Sequence, residues 1–174
     1  MAERGGRVGT GDILVADRPG LLLAIFTADC LPIVIYDPLN RRLAVVHAGW
    51  RGTVQSVTRA AADALVSQGG EAEHFVAAIG PSIGPCCYEV DRPVIDRLAP
   101  AFPADWESWV TPKREGHWML DLWTANGGQL RAAGLRPERI DSPRACTACH
   151  PDLFFSYRRG GSRGRLVAVA AVPD

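Results

Sequence analysis

Lysine is nearly absent from this 174-residue chain. Lys113 stands alone among 19 basic residues, and the rest are arginines. Arginine suits bidentate contact with phosphate or carboxylate, although a GC-rich genome produces the same bias. An excess of either charge is missing too, because 19 acidic residues balance the 19 basic ones. That leaves no global basic field for a nucleic-acid partner. Long apolar runs are also lacking. The first twenty residues contain none, which excludes a secretory signal there. The longest apolar stretch, residues 21–36, carries Asp29 and Pro32 in its middle and is too short and too polar to cross a bilayer. The expectation is a cytoplasmic protein without a membrane partner. No His-Glu-x-x-His pair occurs, so metalloprotease chemistry lacks support.

What is present reads as an ordinary soluble domain, with 47% hydrophobic and 22% charged residues, enough to bury a core without staples. The Gly-rich, polar residues 1–11 are expected to be a poorly ordered start, with one domain over 12–174. Residues 21–26, 33–36 and 43–46 are short apolar runs bounded by turn residues and predict strands. Asp37-Pro-Leu-Asn40 supplies the turn of a hairpin between the last two. A helix follows over about 54–68, capped by Thr53 and ended by Gly69-Gly70. Residues 75–79 predict a strand, 92–98 a short helix, 99–117 irregular chain, 121–133 a long helix stopped by Gly134, and 166–172 a late strand. Strands and helices mix without a strict βαβ rhythm, so the predicted class is α+β, a mixed sheet core with packed helices.

The chemistry concentrates in a few places. Cys30 ends one predicted strand beside Asp29, and His47 ends the strand expected to pair with it. Thiolate and neutral imidazole are both zinc ligands. The same pair can also serve as nucleophile and base, or as a buried thiol and a hydrogen-bonded imidazole. Gly49-Trp50-Arg51-Gly52 opens a helix, where free N–H groups and an arginine can attract an anion, although glycines also serve tight turns. Phe154-Phe-Ser-Tyr-Arg158-Arg159 combines aromatic faces with paired guanidiniums, or forms a strand with an aromatic inner side. Five cysteines, an odd number, argue against a disulfide framework. Cys86 and Cys87 are adjacent, so their side chains are expected to diverge and act as spectators. Cys146-Thr-Ala-Cys149 is half a zinc motif without a second Cys-x-x-Cys, which argues against a four-cysteine site. His74, His117 and His150 carry no motif.

Four stretches occur together in order: Thr27-Ala-Asp-Cys-Leu-Pro-Ile-Val34, Val46-His-Ala-Gly-Trp-Arg-Gly52, Ile79-Gly-Pro-Ser-Ile-Gly-Pro-Cys-Cys-Tyr-Glu-Val90 and Phe154-Phe-Ser-Tyr-Arg-Arg159. In this the chain resembles the YfiH-like, laccase-domain family, from about Asp12 to its end. The resemblance implies an α+β fold and a zinc site of one Cys and two His, with Cys30 and His47 as two of the ligands. It implies phosphorolysis of purine nucleosides (adenosine, inosine, guanosine, methylthioadenosine) and deamination of adenosine. Cys30, His47 and Arg51 are then the catalytic candidates, and Asp29, Trp50, Arg158 and Arg159 the substrate or phosphate contacts. Copper is the family's alternative metal, but four histidines are too few for a multicopper oxidase. The family's third ligand belongs to a Gln-Val-His segment that this sequence does not contain. The expectation is weakened zinc binding, impaired activity and exposed apolar surface that favours a homodimer. A different chemistry for the same pair is amide hydrolysis, with Cys30 attacking a peptidoglycan precursor and His47 as base.

Overall fold

Strand formation follows the apolar runs, and the structure, a computed structural model, describes residues 9–161 and 164–173. Most of the start predicted to be poorly ordered, residues 1–8, lies outside them. Ten strands occur among the described residues: β1 (Ile13–Ala16), β2 (Leu22–Thr27), β3 (Leu31–Asp37), β4 (Arg42–Ala48), β5 (Val76–Ile79), β6 (Glu89–Asp91), β7 (Val110–Arg114), β8 (His117–Leu120), β9 (Ile140–Asp141) and β10 (Leu166–Ala171). The α-helices are α1 (Trp50–Val54), α2 (Val57–Val66), α3 (Arg92–Ala101), α4 (Leu122–Ala132) and α5 (Tyr157–Gly160). The α+β class with a mixed sheet holds. The main sheet has the order β1-β4-β3-β5-β9, antiparallel except for the β5–β9 pair.

β3 and β4 read as continuous apolar runs because both faces of their sheet are covered. Ile33, Ile35, Ala44 and Val46 join the larger core with Ala61, Leu65, Phe75 and Leu130. Leu43 and Val45 point the other way, onto Leu23 and Ile25 of β2. The predicted hairpin forms, with Tyr36 opposite Leu43. Its turn is held by buried Asp37, whose carboxylate accepts from the N–H groups of Leu39 (3.0 Å) and Asn40 (3.2 Å).

Three features depart from the sequence reading. β2 does not join the main sheet; it pairs with β10, leaving Leu22, Phe26, Val167 and Val169 exposed on its outer side. The helix predicted over 54–68 is broken at Ser56, whose φ is 57°. Thr53 is no cap: it lies inside α1, and Asn126 of α4 donates to its hydroxyl at 3.0 Å while Gln129 donates to its carbonyl at 2.8 Å. This buried polar network ties α4 to the helix carrying Trp50 and Arg51. Residues 99–117 are not irregular throughout, because β7 and β8 form a hairpin that pairs with β6. β7 is mostly exposed and contains Pro112, so no period-two pattern marks it.

Candidate functional site

The chain reverses after β2 through Ala28, Asp29 and Cys30. Asp29 takes a positive φ of 79°, a conformation that non-glycine residues adopt only when their surroundings hold them. Here the hold is visible. One carboxylate oxygen accepts from the Thr147 hydroxyl (2.7 Å) and the other from the Arg158 backbone N–H (2.7 Å). The Asp29 carbonyl accepts from the Ile83 N–H at 2.9 Å. Three distant segments are thereby tied to one turn.

That turn delivers Cys30 to the head of β3, one residue before Leu31. The apolar runs predict Cys30 at the end of β2, with β2 paired to the strand of His47. In fact β3 is the partner, with Pro32 opposite His47. The thiol and imidazole still meet. His47 Nδ1 lies 2.8 Å from Asp12 Oδ1, and the His47 N–H donates to the Asp12 carbonyl at 2.8 Å. The ring's interaction with the Cys30 side chain raises His47 from 6.5 to about 9, against the opposing effect of burial and with help from Asp12. Gly49 is required beside them, since a Cβ there would sit 2.9 Å from Cys30 Sγ.

Trp50 and Arg51 do not precede a long helix; they begin the five-residue α1. The Arg51 guanidinium stacks on the Trp50 ring at 4.5 Å, and Arg158 lies over the Tyr88 ring at 5.0 Å. The aromatic segment before residue 160 forms the one-turn α5 rather than a strand, with the Ser156 hydroxyl accepting from the Arg159 N–H at 3.2 Å. Arg158 also donates to the Glu89 carbonyl at 2.7 Å.

Asp29, Cys30, His47, Trp50, Arg51 and Arg158 line one cleft of about 400 Å³, a volume suited to a small molecule. Arg159 does not line it; its guanidinium donates to the Ala148 carbonyl at 2.8 Å. Sequence reasoning missed Asp12, Tyr88 and Arg165. Asp12 was legible only as a polar residue before a short apolar run, and Arg165 as a basic residue entering a strand.

The remaining cysteines hold a second surprise. The Cys86 and Cys87 sulfurs each lie 3.5 Å from the Cys149 sulfur, and Cys146 joins them. The expected divergence of adjacent thiols is overturned by the way two turns face each other.

The profile of the multi-copper polyphenol oxidoreductase laccase family matches residues 2–173. The chain belongs to this family. It is 40% identical over 163 residues to purine nucleoside phosphorylase YlmD of Geobacillus stearothermophilus, covering 90% of this chain and 58% of that protein. Adenosine deaminase RL5, from an unknown prokaryotic organism, is 37% identical over 150 residues, covering 86% of this chain and 57% of that protein. The crystal structure of the Bacillus licheniformis hypothetical protein YfiH superposes with a TM-score of 0.89 at 35% identity, over 92% of this chain and 61% of that one. This chain thus spans about three-fifths of the length of these relatives. Among the described residues no helix is long and apolar enough to cross a membrane.

Proposed function

We propose that the cleft binds a purine nucleoside together with phosphate and supports phosphorolysis to free base and ribose 1-phosphate, with deamination of adenosine as a second activity. The observation that carries this reading is the convergence of residues from all four motifs on one cleft, with cationic and aromatic groups on its walls. Arg51 and Arg158 are the phosphate contacts, each held by an aromatic face. Trp50 and Tyr88 offer flat surfaces against which a purine can stack. Asp29 acts as a brace rather than a substrate contact, since both its oxygens already accept protein donors and its charge would repel phosphate. Arg159 is likewise a brace. The relatives' names supply the substrate class.

The donors in the cleft fit zinc. Cys30 supplies a soft thiolate, and Asp12 on Nδ1 leaves Nε2 of His47 for a metal, the carboxylate–histidine arrangement common around zinc. Cys30 and His47 would be two of its ligands, and the bound ion would supply an acidified water at neutral pH. The test is release of purine base from inosine, with and without phosphate, in the wild type, His47→Ala and Arg51→Ala. Phosphate-dependent release, lost in His47→Ala and needing about tenfold more phosphate in Arg51→Ala, is expected. Phosphate-independent or absent release would sink the proposal.

A second reading has its own support. Cys30, His47 and Asp12 stand in the order nucleophile, base and orienting carboxylate, which suits an amide hydrolase. A chelator separates the two: hydrolysis that survives it but dies on thiol alkylation belongs to Cys30 as nucleophile.

A further inference from the structure

Four of the five cysteines take no part in the cleft, and they meet one another. All four sulfurs lie within 4.8 Å of each other, and the two contacts to Cys149 are 3.5 Å. A tetrahedral ion with zinc–sulfur bonds of roughly 2.3 Å sets its sulfurs about 3.8 Å apart. The spacing is that of thiols around one ion, and all five cysteines are free rather than disulfide-bonded.

The backbone arranges the cluster. Cys86 and Cys87 ride a turn closed by the N–H groups of Cys87 and Tyr88 on the Gly84 carbonyl, both at 2.9 Å. Cys146 and Cys149 ride a second turn, closed by the Cys149 N–H on the Cys146 carbonyl at 3.2 Å. A parallel bridge between Ser82 and Cys146 sets the turns side by side, with the Ser82 N–H on the Ala145 carbonyl (3.2 Å) and the Thr147 N–H on the Ser82 carbonyl (2.9 Å). The Gly84 N–H also donates to the Cys146 sulfur at 3.3 Å, the kind of second contact that orients a thiolate ligand.

The electrostatics agree with the geometry. Burial and the neighbouring sulfurs push Cys86 up and raise Cys87 to about 11. Burial also acts against the Cys146 thiolate, but the N–H donors of Gly84 and Cys149 together with the Cys86 and Cys149 side chains hold that thiol below its ordinary value.

We propose that Cys86, Cys87, Cys146 and Cys149 bind one zinc ion in a closed, structural site separate from the Cys30–His47 cleft. Four protein thiolates leave no position for water or substrate, so the site holds rather than reacts. It clasps the loop of Tyr88 and Glu89, which positions Arg158, to the segment of Thr147, which holds Asp29. The clasp braces the cleft without entering it.

The test uses the whole chain with both cleft ligands removed. A Cys30→Ala/His47→Ala variant, purified with zinc, is expected to retain one zinc per chain by mass spectrometry. Adding Cys149→Ser is expected to abolish it, with the fold monitored by near-ultraviolet circular dichroism. Should that variant not fold, cobalt(II) replaces zinc in the parent variant. Intense thiolate-to-cobalt charge-transfer bands, with the visible bands of a tetrahedral ion, then support the site. Zinc retained after Cys149→Ser, no metal in the parent, a cobalt spectrum without thiolate bands, or an intact mass showing hydrogens lost to disulfides would each overturn it.

Discussion

The cleft and the four-cysteine cluster use the same thiol chemistry to opposite ends. Around Cys30 the neighbours are mixed: an imidazole backed by the Asp12 carboxylate, with guanidiniums and aromatic rings that line a cavity of about 400 Å³. Around Cys149 the neighbours are other sulfurs, one of which, Cys146, accepts from the Gly84 N–H. An arrangement that must admit and release a small molecule keeps an open face and charges able to exchange partners. An arrangement that closes on itself gives up that face and gains rigidity. The two are joined through Asp29 and Arg158, whose partners lie on the very turns that carry the cluster.

The comparison can be broken most sharply by activity. His47→Ala and Cys30→Ala are expected to lower kcat for nucleoside phosphorolysis by roughly 10²- to 10⁴-fold while leaving Tm within a few degrees. Cys149→Ser should do the reverse, lowering Tm more than kcat; equal losses of kcat in steady-state assays would erase the distinction between the sites. Next in size is the link between them. Asp29→Ala leaves the buried Thr147 hydroxyl and the Arg158 N–H without their acceptor, which costs about 2–3 kcal/mol. Thermal unfolding should show a fall in Tm of roughly 5–10 °C; an unchanged Tm would mean that Asp29 is no brace.

A glycine under each site sharpens the contrast. An added methyl at Gly84 would meet the Trp123 ring at 2.4 Å and Cys146 Cβ at 3.3 Å. Gly84→Ala should therefore cost about 1–3 kcal/mol by overpacking, measured by urea denaturation. Gly49→Ala presses on Cys30 Sγ instead and should lower kcat about tenfold, since small misplacements in a reacting site are expensive, with less effect on stability. The smallest effect is in pH. His47 is raised from 6.5 to about 9 in the metal-free chain, so folding favours its protonated form. Its contribution is whole below 6.5 and is lost as pH rises through 9. The Tm difference between wild type and His47→Ala should shrink across that window in scans of chelator-treated protein; a difference growing with pH would reverse the assignment.

Much of this was legible because it is local. Apolar runs and the Asp37 turn marked β3, β4 and their hairpin, and the motifs around Cys30, His47, Arg51 and Arg158 marked residues that now share a cleft. The α1–α2 break was not legible, because Ser56 adopts its left-handed conformation where buried Asn126 and Gln129 secure α1. Nor was the partner of β2, since an alternating strand records which face is buried and says nothing about its neighbour. Arg159 was misplaced because two adjacent arginines in one helical turn point in different directions.

The sequence by itself determined the α+β class, the family and most of the residues that face the cleft, because period, turn chemistry and contiguous motifs are written within a few residues of one another. Only the tertiary structure decided that Asp12 backs His47, that Asp29 is a brace, and that four cysteines form one cluster. Adjacent thiols diverge in an isolated turn. They converge here because the Ser82–Cys146 bridge lays a second turn against the first, a contact between segments far apart in the chain that no local pattern records.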